Sequence, residues 1–271
     1  MRIYSNAREL MSEMGRDLWE MGHEVKPKTY QNKVIEGNDE FTTKEEFCKQ
    51  YCLTSLEDPQ FLFIFTKAKD WAEAELKERL SGKALNPGMA WELRRDMWEQ
   101  FLVEGREDSF MDGIIGTKYF DYTYPERINR QVRVPLPHDS VENSHIEKEF
   151  KFIPAIEAII ELLKFDPDTR KAVLPIFTGN DCNYYDGSRR IPCSMYYGFF
   201  IREGKLNMTY HQRSSDFVGH FGNDVYLAWR TMEYVASRVG VKPGHLIHTI
   251  DSLHCYKKDW HLLKTSVDDL I

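Results

Sequence analysis

The sequence lacks an apolar run near the roughly 20 residues of a membrane-spanning helix, and its opening MRIYSNAREL lacks the apolar core of a signal peptide. Its 36 basic and 43 acidic residues are interspersed, without a basic tail or stripe. This pattern argues against binding to nucleic-acid polymers. We therefore expect a cytoplasmic protein without a membrane partner, in which local clusters of arginine and lysine bind charged substrates.

Cysteine is scarce as well, with five residues and no CxxC pair. An odd number of unpaired cysteines indicates a reducing compartment with free thiols. The nine histidines do not combine with the cysteines into a metal-ligand spacing, so no metal site is predicted. Cys48 and Cys52 are four residues apart, and we expect them to be packing residues on one helix.

No repeat, low-complexity tract or obvious linker divides the 271 residues, whose length suits one large α/β domain or two small ones. Asn6 and Glu9 form a predicted capping box at the start of a helix that Gly22 ends. Helical spacing predicts two further helices near 68–81 and 89–103. The polar, proline-containing stretch 104–150 is predicted to form long loops.

The second half predicts strands that alternate with helices, which is typical of a mixed sheet covered by helices. Its predicted strands are Lys171–Thr178, a hairpin of Ser194–Arg202 and Leu206–Gln212, and Gly244–Ile250. The predicted helices are one opened by Pro154 and one capped by Asn223 that runs to about Val239.

Three segments carry a resemblance to a known family. They are DPDTRK at 166–171, Ile191–Cys193 with the hairpin that leads into QRSSD at 212–216, and DSLHCY at 251–256. In this order and spacing they resemble the thymidylate synthase family, densely over about 160–262 and thinly before that. The resemblance implies a single α/β domain over 1–271, with a large mixed sheet covered by helices and a homodimer formed through the sheet. It also implies a nucleotide monophosphate substrate and 5,10-methylenetetrahydrofolate as cofactor.

The chemistry of such a family explains the cysteine. C5 of a pyrimidine is a poor nucleophile, but addition of a thiolate to C6 makes C5 reactive towards the folate methylene. This requires a cysteine with a lowered pKa, and a neighbouring guanidinium is one way to lower it. Cys193 begins one strand of the predicted hairpin and Arg213 ends the other, so pairing brings the two ends together. Cys193 is therefore the predicted nucleophile.

Cations for the substrate phosphate follow from the resemblance. Arg213 and Ser214 match the family's phosphate-binding segment. Arg170 and Lys171 match a pair of arginines that reach across the dimer interface, although lysine loses the bidentate geometry. The family's N-terminal Arg-Thr-Gly run is absent, and Lys28 is its weak substitute. Ordinary solvated charges are the alternative interpretation of these residues.

Sugar, folate and proton-transfer roles are implied in the same way. His254 and Tyr256 match the pair that hydrogen-bonds the 3′-hydroxyl, and Asp216 matches a carboxylate near the folate ring. Glu75 matches the glutamate that orders water and relays protons, unless it is a solvated residue on a helix face. Both members of the sugar pair are alternatively core residues with satisfied polar tips.

The base-reading position departs from thymidylate synthases, which have an asparagine where Asp224 stands. A carboxylate has only hydrogen-bond acceptors. It would face uracil O4 with lone pair against lone pair, whereas the exocyclic amine of cytosine can donate a hydrogen bond to it. Ser194, where histidine is usual, supports cytosine, because the related phage deoxycytidylate hydroxymethylases have a small hydroxyl residue there. Alternatively, Asp224 only favours a helix dipole, or a one-residue misalignment makes Asn223 the base reader and restores uracil.

The predicted reaction is hydroxymethylation of dCMP at C5, in which water quenches an exocyclic methylene and tetrahydrofolate is released. Glu75 and Asp216 are the residues expected to place that water. The alternatives are C5 methylation of dCMP or dUMP with release of dihydrofolate, hydroxymethylation of CMP or dUMP, and a degenerate relative that binds nucleotide or RNA without turnover.

Overall fold

A computed structural model of the protein describes residues 1–104, 118–135, 150–183 and 189–270. The α-helices are α1 Ala7–Met21, α2 Lys69–Arg79, α3 Arg95–Trp98, α4 Tyr124–Ile128, α5 Ala155–Phe165, α6 Gly222–Val239 and α7 Trp260–Leu263. The strands are β1 Arg2–Tyr4, β2 His23–Val25, β3 Thr29–Tyr30, β4 Lys33–Val34, β5 Thr43–Leu53, β6 Val103–Glu104, β7 Lys118–Tyr119, β8 Gln131–Pro135, β9 Phe150–Pro154, β10 Val173–Pro175, β11 Ser194–Arg202, β12 Lys205–Gln212, β13 Ser215–Asp216 and β14 Lys242–Tyr256.

One large mixed sheet organises these elements, with the strand order β1-β5-β14-β12-β11-β10. The pairs β1–β5 and β12–β14 are parallel, whereas β5–β14, β11–β12 and β10–β11 are antiparallel. The short strand β13 extends the sheet along β14, and β2 pairs with β5. The predicted mixed α/β architecture is confirmed.

Helices α1 and α6 cover one face of the sheet, since their apolar residues recur at helical spacing. Leu10, Met14 and Leu18 of α1 and Met232 of α6 are all fully buried. The opposite face of β11, β12 and β14 carries a shallow hollow lined by residues of mixed polarity, which include Tyr196, Phe200, His211, Ile247 and Thr249. Within the described ranges no helix has the length and apolar character needed to cross a membrane.

The predicted hairpin is present, and so is the first helix. Strands β11 and β12 pair from Ser194↔Gln212 to Arg202↔Lys205, with an irregularity between Ser194 and Tyr196. Asn6 caps α1 by accepting a hydrogen bond from the Glu9 amide. The Glu9 carboxylate accepts from the amide and hydroxyl of Ser5 instead of from the Asn6 amide, so the capping box closes one residue earlier than predicted.

The helix predicted around Cys48 and Cys52 is wrong. Both residues lie in β5, where Cys52 is buried and Cys48 is exposed at a φ of +57°. Tertiary pairing overrides local helical spacing here, because β5 is held between the parallel strand β1 and the antiparallel strand β14.

The single helix predicted over 89–103 is also wrong. The chain forms a 3₁₀ turn at Ala90–Arg94, then α3, then a second 3₁₀ turn at Glu99–Phe101. The backbone at Arg94 has φ −136° and ψ 47°, outside the helical region, and this interrupts the helix. The Trp91 and Trp98 rings on either side of the break both pack against the Phe120 ring, at 6.1 and 6.4 Å.

The predicted loop region 104–150 falls partly outside the described residues. Its described part contains β7, the capped helix α4 and β8, and β9 begins at Phe150. The strand predicted over Lys171–Thr178 is only β10, three residues long, whereas the strand predicted over Gly244–Ile250 extends through the whole of β14.

The predicted cap at Asn223 is replaced by a different arrangement. A π-helical turn at Phe217–Phe221 precedes α6, and the Asp216 carboxylate caps that turn by accepting from the amides of Val218 and Gly219. Helix α6 therefore begins at Gly222, and Asn223 lies buried within its first turn.

Gly222 is required by a close backbone approach, since a Cβ atom there would lie 1.9 Å from the Leu62 carbonyl oxygen. We expect Gly222→Ala to lower the free energy of unfolding by about 1–3 kcal/mol, the usual cost of overpacking. Gly179→Ala is the matched control, because Gly179 is exposed and its Cβ would meet nothing within 4 Å. Urea denaturation of both variants measures the difference, and equal losses would contradict the packing argument.

Candidate active site

A cavity of about 420 Å³ opens where the ends of β11, β12 and β14 meet α2 and α6. Its volume lies within the usual range for small-molecule sites. Eight of the predicted site residues line it, namely Glu75, Cys193, Arg213, Ser214, Asp216, Asp224, His254 and Tyr256. They come from five separate segments of the chain, and the fold brings these segments together around one cavity.

The hairpin places Cys193 beside Arg213, as predicted. The Arg213 amide donates to the Cys193 carbonyl at 2.9 Å, and Arg213 Nη2 lies 3.9 Å from Cys193 Sγ. The guanidinium also donates from Nε to the Pro192 carbonyl at 2.9 Å and from Nη2 to the Ile191 carbonyl at 3.1 Å. These bonds hold the positive charge close to the sulfur.

The electrostatics of the thiol differ from the expectation of a lowered pKa. Burial raises the pKa of Cys193 above its ordinary value, and the nearby carboxylates Asp224 and Asp216 act in the same direction. The guanidinium groups of Arg213 and Arg190 oppose this increase. The resting sulfur is therefore a protonated thiol at neutral pH, and the two cations stabilise the thiolate when it forms.

Arg190 is a cavity residue that the sequence analysis missed. Only 6% of its surface is exposed, and its guanidinium carbon lies 4.6 to 5.9 Å from the centroids of four aromatic rings, those of Trp98, Phe101, Phe120 and Tyr122. Its Nε donates to Gln31 Oε1 at 3.2 Å. The available signal was the adjacent pair Arg189-Arg190, which ends three residues before Cys193, but this pair belongs to none of the segments that carry the resemblance.

Asp224 forms part of the cavity wall, whereas Asn223 does not. Asp224 Oδ2 accepts from Gln212 Nε2 at 2.8 Å and from Ser215 Oγ at 3.4 Å. Asn223 Oδ1 instead accepts from Thr66 Oγ1 at 3.2 Å. Burial raises the pKa of Asp224 to about 6, against the lowering effects of Gln212, Arg79 and Ser215. The predicted base reader is therefore a carboxyl group whose pKa depends strongly on its surroundings.

Glu75 occupies the α2 side of the cavity, where it pairs with Arg79 one turn later. Arg79 Nε lies 2.8 Å from Glu75 Oε1, and the Arg79 guanidinium stacks over the Tyr124 ring at 4.1 Å. Arg79 is buried, so the pair holds the Glu75 carboxylate in one orientation. This excludes the interpretation of Glu75 as a solvated residue on a helix face.

The predicted sugar-binding pair, His254 and Tyr256, lies at the end of β14. The rings of His254 and Tyr256 meet edge to face at 5.2 Å, and His254 Nδ1 lies 3.4 Å from Ser252 Oγ. Tyr256 also packs edge to face against Tyr30 and Phe41, near the N-terminal segment. Both residues line the cavity although each is only 8% exposed, so their sugar-binding role stays a prediction.

Ser194 lies behind the nucleophile in a cluster of hydroxyl groups. Its Oγ is 2.6 Å from the Tyr210 hydroxyl and 3.2 Å from the Tyr124 hydroxyl. Burial raises the pKa of both phenols, so these groups stay neutral. Cys193 therefore stands in front of an uncharged polar layer.

Three predicted phosphate ligands lie outside the cavity. Lys28 is 77% exposed at its side chain and pairs with Glu36 at 3.2 Å. Arg170 and Lys171 are exposed on the loop before β10. Their proposed roles stay predictions, and those of Arg170 and Lys171 require a second subunit. Within the described residues no cluster of potential metal ligands exists.

The remaining wall suits a flat aromatic ligand. Trp91, Trp98 and Phe120 form an aromatic surface, and the Trp98 indole N–H is buried without a partner among the described residues. A pterin ring offers stacking area and acceptors that match an aromatic wall with a free donor. These residues, together with Asp216, therefore fit the folate that the resemblance implies. Beside them His220 stays neutral, because burial lowers its pKa to about 4.

Comparison with known proteins agrees with this geometry. The profile of the thymidylate synthase family matches residues 54–269. A protein of Methanosarcina barkeri named "Putative thymidylate synthase" is 30% identical over 175 residues, which are 63% of this chain and 68% of that protein. The deoxyuridylate hydroxymethyltransferase of Bacillus phage SP01 is 28% identical over 195 residues, which are 67% of this chain and 46% of that protein.

The fold comparison covers nearly the whole chain. Thermostable thymidylate synthase A from Bacillus subtilis superposes with a TM-score of 0.64 over 97% of this chain and 84% of that one, at 18% identity. At this identity the likeness shows the fold alone. Together with the family match, it shows that the chain belongs to the thymidylate synthase family and is a pyrimidine nucleotide C5 one-carbon transferase that uses 5,10-methylenetetrahydrofolate.

Proposed function

We propose that the protein hydroxymethylates dCMP at C5, yielding 5-hydroxymethyl-dCMP and tetrahydrofolate. The observation that carries this proposal is the carboxyl group of Asp224 on the cavity wall, 2.8 Å from the Gln212 amide. One oxygen is engaged by that donor, and the other is available to the base. An ionised oxygen accepts a hydrogen bond from the cytosine amine and opposes the lone pairs of uracil O4.

The residues of the cavity divide the reaction between them. Cys193 Sγ bonds to C6, and the guanidinium of Arg213 stabilises the thiolate before attack. Asp224 stabilises protonation of the ring at N3 while C5 is nucleophilic. Bound 5,10-methylenetetrahydrofolate supplies the one-carbon unit. Water held by Glu75 accepts the C5 proton, and the bond between the transferred methylene and the folate nitrogen then breaks, so that tetrahydrofolate leaves and C5 carries an exocyclic methylene. Water adds to this methylene to give the hydroxymethyl group, after which the C6–sulfur bond breaks and the thiolate is released.

The phosphate and sugar are anchored on either side of the base. Arg213 and Ser214 are the ligands proposed for the phosphate, and Arg190 adds a further guanidinium to the same cavity. His254 and Tyr256 bind the 3′-hydroxyl. This arrangement presents C6 of the ring to the sulfur, which makes the attack effectively unimolecular.

A second candidate is hydroxymethylation of dUMP, favoured by the phage relative, whose name states that it acts on deoxyuridylate. In that case Asp224 must be protonated, so that its hydroxyl donates to uracil O4. The pKa of about 6 brings this form within reach. The two candidates therefore differ in the protonation state of one carboxyl group.

Turnover of dCMP, CMP and dUMP in parallel tests the proposal. We expect 5-hydroxymethyl-dCMP by mass spectrometry, without the rise in absorbance near 340 nm that accompanies dihydrofolate formation. Asp224→Asn is expected to shift the ratio of kcat/KM towards dUMP by at least about 10-fold, because an unmatched buried polar contact costs about 1–3 kcal/mol. Cys193→Ser serves as the inactive control. An unchanged ratio in Asp224→Asn would refute the cytosine assignment.

The preference for dCMP is also expected to depend on pH. Below about pH 6 Asp224 gains a proton and becomes a donor, so the ratio of kcat/KM for dCMP over dUMP should fall as the pH decreases from 8 to 5. The same titration of Asp224→Asn corrects for protonation of the bases themselves. In that variant we expect the ratio to stay constant with pH once protonation of the bases is accounted for. A ratio that is constant in both proteins would contradict the role of this carboxyl group.

We also propose that the protein is a homodimer with shared active sites. Among the described residues no helix covers the face of β11, β12 and β14 that includes the partly exposed side chains of Tyr196 and Phe200. A second copy on this face would bury them. It would also give Arg170 and Lys171, which lie outside the cavity of their own chain, a phosphate to bind in the neighbouring one.

Mixed dimers test the shared site. Arg170→Ala and Cys193→Ala are each expected to lose most activity, whereas their mixture should regain up to about a quarter of it, because one site in each mixed dimer is intact. Subunit exchange is measured with two affinity tags. Confirmed mixed dimers that remain inactive would exclude a contribution of Arg170 to the neighbouring site.

A further inference from the structure

A chain of hydrogen bonds leads from the base-reading carboxylate into the core. Gln212 Nε2 donates to Asp224 Oδ2 at 2.8 Å, Gln212 Oε1 lies 2.9 Å from His248 Nε2, and His248 Nδ1 lies 2.8 Å from the Tyr51 hydroxyl. Gln212, His248 and Tyr51 are all fully buried. Of the four residues only Asp224 lines the cavity, so the other three act from behind it.

The direction of every hydrogen bond in this chain is determined. An ionised carboxylate only accepts, so the Gln212 amide nitrogen must face Asp224 and its oxygen must face His248. His248 therefore carries its proton on Nε2 and accepts from the Tyr51 hydroxyl at Nδ1. Burial lowers the pKa of His248 to about 3 and raises that of Tyr51, so both side chains stay neutral.

Packing prevents the imidazole from turning. Tyr51, His248 and Tyr210 occupy paired positions on the neighbouring strands β5, β14 and β12. The Tyr210 ring stacks on His248 with centroids 4.3 Å apart and planes at 14°, and Phe221 lies parallel at 6.3 Å. The donor that faces Gln212 is therefore held by the sheet itself.

We propose that Gln212, His248 and Tyr51 are positioning residues that commit one atom of residue 224 to accept a hydrogen bond inside the protein, so that the opposite atom alone reads the base. The inference rests on the proposed recognition of the base by Asp224. It extends that proposal by assigning the orientation of the reader to three residues that the substrate does not touch.

This arrangement gives a rule for the identity of residue 224. With aspartate, the atom that faces the base is an acceptor and matches the cytosine amine. With asparagine, Gln212 Nε2 holds the amide oxygen, so the amide nitrogen faces the base as a donor and matches uracil O4. The same chain therefore serves either base, and the residue it holds determines which one.

Reversing the polarity of the chain tests the rule. In the double variant Gln212→Glu/Asp224→Asn the negative charge moves from residue 224 to residue 212, its neighbour in the chain of hydrogen bonds. The ionised glutamate offers only acceptors to the asparagine and to His248. The asparagine must then turn its amide nitrogen inwards, which leaves its oxygen facing the base. We expect Asp224→Asn alone to prefer dUMP by at least about 10-fold and the double variant to return to dCMP. Both kcat/KM and binding of each nucleotide without folate are measured.

The outcomes separate the two proposals. If Asp224→Asn leaves the preference unchanged, recognition by Asp224 is wrong and the positioning role falls with it. If Asp224→Asn prefers dUMP but the double variant does not return to dCMP, the function stands and the positioning chain is refuted. Return of the double variant to dCMP supports both, because a merely structural role of Gln212 predicts no such reversal.

His248→Phe provides a second measurement if the double variant fails to fold. It keeps an aromatic ring between Tyr210 and Phe221 but removes the donor to Gln212. We expect the dCMP preference to fall several-fold, with a raised KM for dCMP. Tyr4→Phe is the matched control, since the Tyr4 ring packs against Tyr51 at 5.8 Å and its hydroxyl is not part of the chain. An equal loss of preference in both variants, or none in His248→Phe, would overturn the inference.

Discussion

The pairing of β11 with β12 is the constraint on which the rest of the site depends. Its register sets Ser194 opposite Gln212 and thereby brings Cys193 to Arg213. The irregularity next to Ser194 turns that side chain towards the tyrosine hydroxyls while the sulfur faces the cavity. A slip by one residue would reverse the direction of each side chain, so the positions of Cys193, of Arg213 and of Gln212, which bonds to Asp224, all depend on this register.

The groups around this pairing are buried, and burial shifts the pKa of acidic and basic groups in opposite directions. Burial raises the pKa of Cys193 and of Asp224 and lowers that of His248. In each case the neutral form is favoured. The neutral form is required at His248, which must donate in one fixed direction, but it is unreactive at Cys193. The guanidinium groups of Arg213 and Arg190 counteract this effect, because they lower the pKa of Cys193.

Sequence reasoning recovered what is encoded locally or in a dense motif. The hairpin and the first helix follow from turn residues and apolar spacing. Six of the eight cavity residues lie in the three segments that carry the resemblance, and the other two, Glu75 and Asp224, come from matches outside those segments. It failed where long-range pairing decides the outcome. Cys48 and Cys52 have helical spacing, but they belong to a strand held by two neighbours. The positions of Arg190 and His248 could not be predicted from the sequence, because the rings and strands that they contact are distant in sequence.

The raised pKa of Asp224 connects recognition with ionisation. Burial raises the pKa of Asp224 to about 6, although Gln212 Nε2 donates a hydrogen bond to its carboxylate at 2.8 Å. The amine of cytosine adds a second donor and so favours the charged form. Uracil O4 offers only an acceptor and favours the protonated form. In the proposed recognition the base therefore influences the charge of the carboxyl group that binds it, and the buried hydrogen bonds through Gln212 leave this change of charge to the oxygen that faces the ring.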